Sequence, residues 1–124
     1  MTEYNFLLHH ASLIVSDTEA AKHFYCTILG LKQIPRPDLG FPGAWLALGS
    51  TQQLHLLELP NPDPKTGRPE HGGRDRHVAL TVSSLDAVKA LLTEHGITFT
   101  LSKSGRKALF CRDPDANAIE IIER

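Results

Sequence analysis

The chain has little of what usually assigns a protein quickly. It holds only two cysteines in 124 residues, Cys26 and Cys111. They form no CxxC motif and are too few for a disulfide framework, so reduced thiols in a cytoplasmic protein are the expectation. There is no excess of charge of one sign: 13 Lys and Arg stand against 14 Asp and Glu, a formal net charge of −1. That balance offers neither a basic face for nucleic acid nor a basic stripe for a membrane surface. No apolar run approaches the roughly 20 residues that cross a bilayer. The start Met1-Thr2-Glu3-Tyr4-Asn5 lacks the basic opening of a secretory signal. A length of 124 residues with 41% hydrophobic content supplies one core and leaves no room for a separate second domain.

What is present is an internal echo. His10-Ala11-Ser12-Leu13-Ile14-Val15-Ser16 returns as His77-Val78-Ala79-Leu80-Thr81-Val82-Ser83. Each copy opens on a histidine, alternates like a strand and runs into an acidic, Ala-containing helix start. Leu54-His55-Leu56-Leu57-Glu58 returns as Ile119-Glu120-Ile121-Ile122-Glu123. The repeat therefore places a histidine at one position twice, and pairs His55 with Glu120 at another.

The pattern between the echoes predicts two βαβββ modules. In the first, about 7–59, residues 7–15 alternate as a strand and Ser16-Asp17-Thr18 offers helix-capping oxygens. A helix is expected over Ala20–Leu29 with Gly30 as its C-cap, then strands over Leu31–Pro35, Ala44–Leu48 and Gln53–Leu59. Residues 60–73 carry four prolines and three glycines and read as an irregular linker or lid. The second module, about 74–124, repeats the order: strand His77–Val82, helix Leu85–His95, Gly96, and strands Ile97–Leu101, Lys107–Arg112 and a last one ending at Glu123. The expected fold is α+β, two βαβββ modules in tandem forming a curved mixed sheet around a central cavity, in a single domain.

Strand alternation sorts the polar residues by face. His10 shares a face with Ser12 and Ile14, whereas His9 points away; His77 takes the matching place in the second copy. If a pseudo-twofold relates the halves, His10, His55, His77 and Glu120 converge on its axis. Imidazole and carboxylate donors suit zinc, nickel, manganese or iron(II), and such a set leaves positions open for a substrate. Glu58 rivals His55, since both lie on one strand. Ser104-Gly105-Arg106 offers a hydroxyl, a loop N–H and a guanidinium to an anionic substrate, or is a plain polar turn. Trp45 and Phe110 hold equivalent places, as core residues or, for Trp45, as a substrate platform. His23 and His71 read as structural or solvated.

These residues resemble the vicinal oxygen chelate superfamily, which spans glyoxalase I, fosfomycin-resistance proteins, methylmalonyl-CoA epimerase, extradiol dioxygenases and bleomycin-binding proteins. The marks are Leu8-His9-His10 through Asp17, Phe24-Tyr25 with Ile28-Leu29-Gly30-Leu31, Gln53-Leu54-His55-Leu56, Arg76-His77-Val78, and Asp113-Pro114-Asp115 ahead of Ile119-Glu120-Ile121. The resemblance implies His10, His77 and Glu120 as metal ligands. His55 falls where glyoxalase-like members carry a Glu or Gln ligand, which makes it a fourth ligand or an acid–base group. Ala116 stands where the family's turn usually has Gly, a strained position unless Asn117 takes it. The implied protein is a homodimeric, divalent-metal-dependent enzyme of the glyoxalase or fosfomycin-resistance type, acting on a small substrate and in some members with a thiol cosubstrate. An extradiol dioxygenase and a metal-free drug-binding protein are the alternatives.

Overall fold

The computed structural model describes residues 4–124. Two four-stranded mixed sheets form, one from each module. The first module runs β1 (His10–Val15), α1 (Thr18–Lys22), β2 (Lys32–Ile34), β3 (Gly43–Leu48) and β4 (Gln52–Glu58). The second runs β5 (His77–Val82), α2 (Leu85–Glu94), β6 (Thr100–Leu101), β7 (Ala108–Arg112) and β8 (Ala118–Glu123). The strand orders are β1-β4-β3-β2 and β5-β8-β7-β6, so each module pairs its first strand in parallel with its last. The tandem βαβββ expectation holds. The curved sheet is realised as two separate ladders.

The pleat explains which side chains are available for chemistry. Ala11, Leu13 and Val15 of β1, with Leu54 and Leu56 of β4, pack into the core; their neighbours His10, Ser12, Gln53 and His55 take the opposite face. The second sheet repeats this, with Ile119 and Ile121 in the core and Glu120 turned away. One apolar cluster joins both modules, including Tyr25, Leu46, Leu85, Leu92 and Leu109.

The first helix departs from expectation. It begins at Thr18 rather than Ala20, and His23–Ile28 widens into a π-helical turn. Leu29 N–H donates to the Phe24 carbonyl, five residues back, at 3.0 Å. Within this stretch Tyr25 is fully buried, and its hydroxyl donates to Asp113 Oδ2 at 2.7 Å. Ser16 N–H reaches Asp115 Oδ1 at 3.0 Å, and Asn117 Nδ2 donates to the Ile14 carbonyl at 3.1 Å. The β7–β8 turn of one module is thus plugged into the β1–α1 connection of the other.

Both helix starts are capped twice. Asp17 and Ser84 accept as N-cap side chains, and the terminal glutamate of each sheet helps: Glu58 Oε1 receives Thr18 N–H at 2.8 Å, Glu123 Oε1 receives Leu85 N–H at 3.0 Å. The echo of Glu58 in Glu123 is therefore a repeated capping device. The stretch 60–73 is irregular as expected, but it runs into a short 3₁₀ turn at Gly72–Arg74. It is also strapped down. Arg76 holds Asp63 at 2.7 Å, and Arg112 donates to the Pro69 carbonyl at 2.6 Å. Among the described residues no helix is long and apolar enough to cross a membrane.

Candidate functional site

In the first module, β3 and β4 pair Trp45 opposite His55, while β1 and β4 pair His10 opposite Gln53. Three rings stack as a result. His10 lies 4.0 Å from His55 at 17°, and Trp45 lies 4.3 Å from His55 at 6°. His55 Nε2 sits 2.8 Å from Gln53 Oε1. An amide oxygen only accepts, so Nε2 carries the proton and Nδ1 keeps its lone pair. Burial pushes the His55 imidazole below its ordinary value, with His10, His9 and Arg36 adding repulsion, so the ring is neutral near pH 7. His9 does not simply point away: its Nδ1 lies 2.9 Å from His10 Nδ1.

The second module builds a different pair in the matching place. Phe110 and Ala79 stand opposite Glu120, and His77 opposite Ala118. His77 Nε2 lies 3.3 Å from Glu120 Oε1, and Phe110 meets the His77 ring edge-on at 5.2 Å. His77 Nδ1 lies 2.8 Å from the Asp75 carbonyl. A carbonyl also only accepts, so Nδ1 donates to it and Nε2 is turned toward the carboxylate. Glu120 is 2% exposed, and its Oε2 receives Arg106 Nη2 at 3.3 Å. The Asp75 carboxylate is clasped by Arg68 Nε and Arg112 Nη1, each at 2.8 Å. Hydrogen bonds from these guanidiniums hold it well below the usual carboxylate range.

The four expected ligands come together as two pairs, His10 with His55 and His77 with Glu120. Among the described residues no three His, Cys, Asp or Glu side chains converge on one point. Glu58 and His55 take opposite faces, and Glu58 is spent on the helix start. Ser104 and Arg106 border a cavity of ≈ 280 Å³ shared with His77, Phe110 and Glu120. Trp45 is half-buried against His55, and Phe110 is buried. His23 stands away, its ring 6.4 Å from His95. His71 is half-buried rather than solvated: its Nε2 donates to the Leu101 carbonyl at 3.1 Å and its Nδ1 accepts Gly73 N–H at 3.0 Å.

Sequence reasoning missed Gln53 and Asp75. Gln53 was within reach, since it lies two residues before His55 and hence on the same face. Asp75 was not, because it touches His77 through its main chain, which has no sequence signature.

Comparison with known proteins agrees with the fold. The model of the Glyoxalase/Bleomycin resistance protein/Dioxygenase superfamily matches residues 7–121. The chain is 35% identical to YwkD of Bacillus subtilis, over 94% of this chain and 96% of that one. It is 32% identical to Glyoxylase I 4 of Arabidopsis thaliana, over 92% of this chain and 68% of that one. A crystal structure of a glyoxalase family protein from Bacillus anthracis superposes with a TM-score of 0.82 at 25% identity, covering 100% of this chain and 99% of the other. A duplicated βαβββ unit whose echoing strands carry His10 with His55 and His77 with Glu120 is therefore one more member of the Glyoxalase/Bleomycin resistance protein/Dioxygenase superfamily, the vicinal oxygen chelate proteins.

Proposed function

We propose that this protein is a divalent-metal-dependent enzyme acting on a small oxygenated substrate, with two copies of the chain completing each site. In this reading His10 and His55 of one copy face His77 and Glu120 of the other. The donor chemistry fits a borderline transition ion such as zinc, nickel, manganese or iron(II). The observation that carries the reading is the His77–Glu120 pair. The Asp75 carbonyl orients the His77 ring by accepting from Nδ1, and so turns Nε2 toward a nearly buried carboxylate. That support is the kind a ligating histidine needs. When bound, the ion supplies Lewis-acid polarisation of substrate oxygens.

The remaining roles belong to the chain's own side chains. His55, neutral near pH 7 with Nδ1 free, is a ligand or takes a proton from the substrate. Trp45 holds the His55 ring flat and walls the pocket. Ser104 orients Arg106, accepting from its Nε at 3.2 Å, and the guanidinium meets substrate oxygens. The name of the Arabidopsis relative, Glyoxylase I 4, supports an activity of this general kind.

The test is elemental analysis of protein purified without a histidine tag, beside His10→Ala and His77→Ala. The expected result is about one transition-metal ion per chain, lost in both variants. Iron would direct assays to ring-cleaving dioxygenation; nickel, zinc or manganese to glyoxalase-like or fosfomycin-type chemistry. A protein that stays metal-free after incubation with these ions, and gains no stability from them, is a small-molecule binder instead.

A further inference from the structure

We propose that the cavity beside His77 and Glu120 binds a doubly charged oxyanion, a phosphoryl group or a pair of carboxylates on a small molecule. As a statement about substrate this rests on the reading above; as a statement about binding it stands alone. The cavity, ≈ 280 Å³, is bordered by three permanent cations from two separate segments. Arg74 comes from the 3₁₀ turn, and Lys103 and Arg106 from the β6–β7 loop. Its one carboxylate, Glu120, is already engaged by Arg106 and His77. Among the described residues, neither Arg74 nor Lys103 has a carboxylate within 4.0 Å. In a chain whose net charge is −1, this is a local concentration of uncompensated positive charge. An anion placed among the cations relieves their mutual repulsion.

The hydroxyls on the rim supply a donor as well. Ser102 Oγ and Ser104 Oγ lie 2.8 Å apart, so one proton is used between them and the other is left for an acceptor. Ser102 Oγ also accepts Ser104 N–H at 3.2 Å, which fixes the loop's shape. The two segments are fastened to each other. His71 donates to the Leu101 carbonyl and accepts from Gly73 N–H, bridging the strand before Lys103 to the turn that bears Arg74. Its ring rests 5.0 Å from that of Phe110. The two segments that carry the cations are therefore joined before a ligand arrives, which spares the cost of ordering the loops. Glu70 does not border this cavity; it lines two neighbouring hollows, one of which Arg74 and Lys103 line as well. The same two cations therefore line both this cavity and the adjoining hollow.

The experiment uses the full chain, treated with a chelator so that no metal can hold the probe. Inorganic phosphate, malonate and acetate are titrated separately, and affinity is read from amide chemical shifts. Phosphate or malonate should shift Arg74 and Ser102–Arg106 saturably, with acetate at least tenfold weaker. Arg74→Gln and Lys103→Gln, both at exposed positions, should each weaken binding about tenfold, whereas Lys22→Gln should not. A preference for phosphate assigns a phosphoryl ligand; a preference for malonate assigns a dicarboxylate. Shifts confined to other regions, acetate binding as tightly as the dianions, or unchanged affinity in the double Arg74→Gln, Lys103→Gln variant would overturn the proposal. Metal content, measured separately, keeps the two readings apart: saturable phosphate binding in a protein that never takes up metal upholds this site and removes the metalloenzyme reading alone.

Discussion

Ala116 adopts φ 66°, the left-handed region, without glycine's freedom to do so. Asn117, the residue better suited to that conformation, is committed elsewhere: its side-chain amide donates to the Ile14 carbonyl and to Asp113 Oδ2. The turn is kept because Asp113 Oδ1 accepts from Asp115 N–H and Asn117 N–H, while Arg112 Nη1 holds the Ala116 carbonyl at 2.7 Å. Left-handed backbone costs a residue with a Cβ about 1–2 kcal/mol, and glycine's extra unfolded-state freedom returns part of that on substitution. Ala116→Gly should therefore stabilise the protein by about 1 kcal/mol and raise Tm by about 4 °C, read by thermal denaturation. At this scale the sequence ranked candidates through the repeat alone, which favours His55 over Glu58 by setting His55 against Glu120. His55 and Glu58 lie on opposite faces of one strand, and only the position of the helix start shows that Glu58 serves Thr18. The alternation rule also failed for His9, because β1 begins at His10 and the pleat does not govern the residue before it.

The strap over residues 60–76 shows how an element without regular structure is held. Asp75 lies between Arg68 and Arg112 at 2.8 Å from each, with its side chain 10% exposed. Because its folded carboxyl titrates below the unfolded value, it favours the fold wherever the unfolded carboxyl is ionised, above about pH 4. That contribution is lost as pH falls further, toward the folded value. Asp75→Asn should cost about 3 kcal/mol near pH 7, since it leaves two guanidiniums without their buried partner. Urea denaturation across a pH series should show the gap from the parent protein closing as pH drops below about 4. Prolines and glycines marked this stretch as irregular, but its fastening was not legible. The ties run to carbonyls and to Arg112 far along the chain, which leave no periodicity to read. The widened turn of the first helix was hidden for a related reason: apolar spacing of three and four is served almost equally by α and π geometry over so few residues.

At the scale of the whole molecule, the echo was the reliable guide. It located β5 at its observed bounds, and the strand registers repeat with it, His10 opposite Gln53 and His77 opposite Ala118. It did not indicate how the modules dock, which depends on single contacts such as Tyr25 with Asp113. The proposed sharing of sites between copies can be tested by mixing. A His10→Ala, His55→Ala variant and a His77→Ala, Glu120→Gln variant should each retain no metal. Exchanged at equal amounts, half the dimers pair the two variants and each of these carries one intact set, restoring about a quarter of the parent's metal. Sites completed within one chain would gain nothing from mixing. The parallel ladders add a consequence for folding. His10 and His55, like His77 and Glu120, sit on strands that open and close their module, so neither pair exists until a long loop has been drawn shut. Any ligand that bridges such a pair acts as a clasp on that loop, and its affinity and the module's closure are one equilibrium seen from two ends.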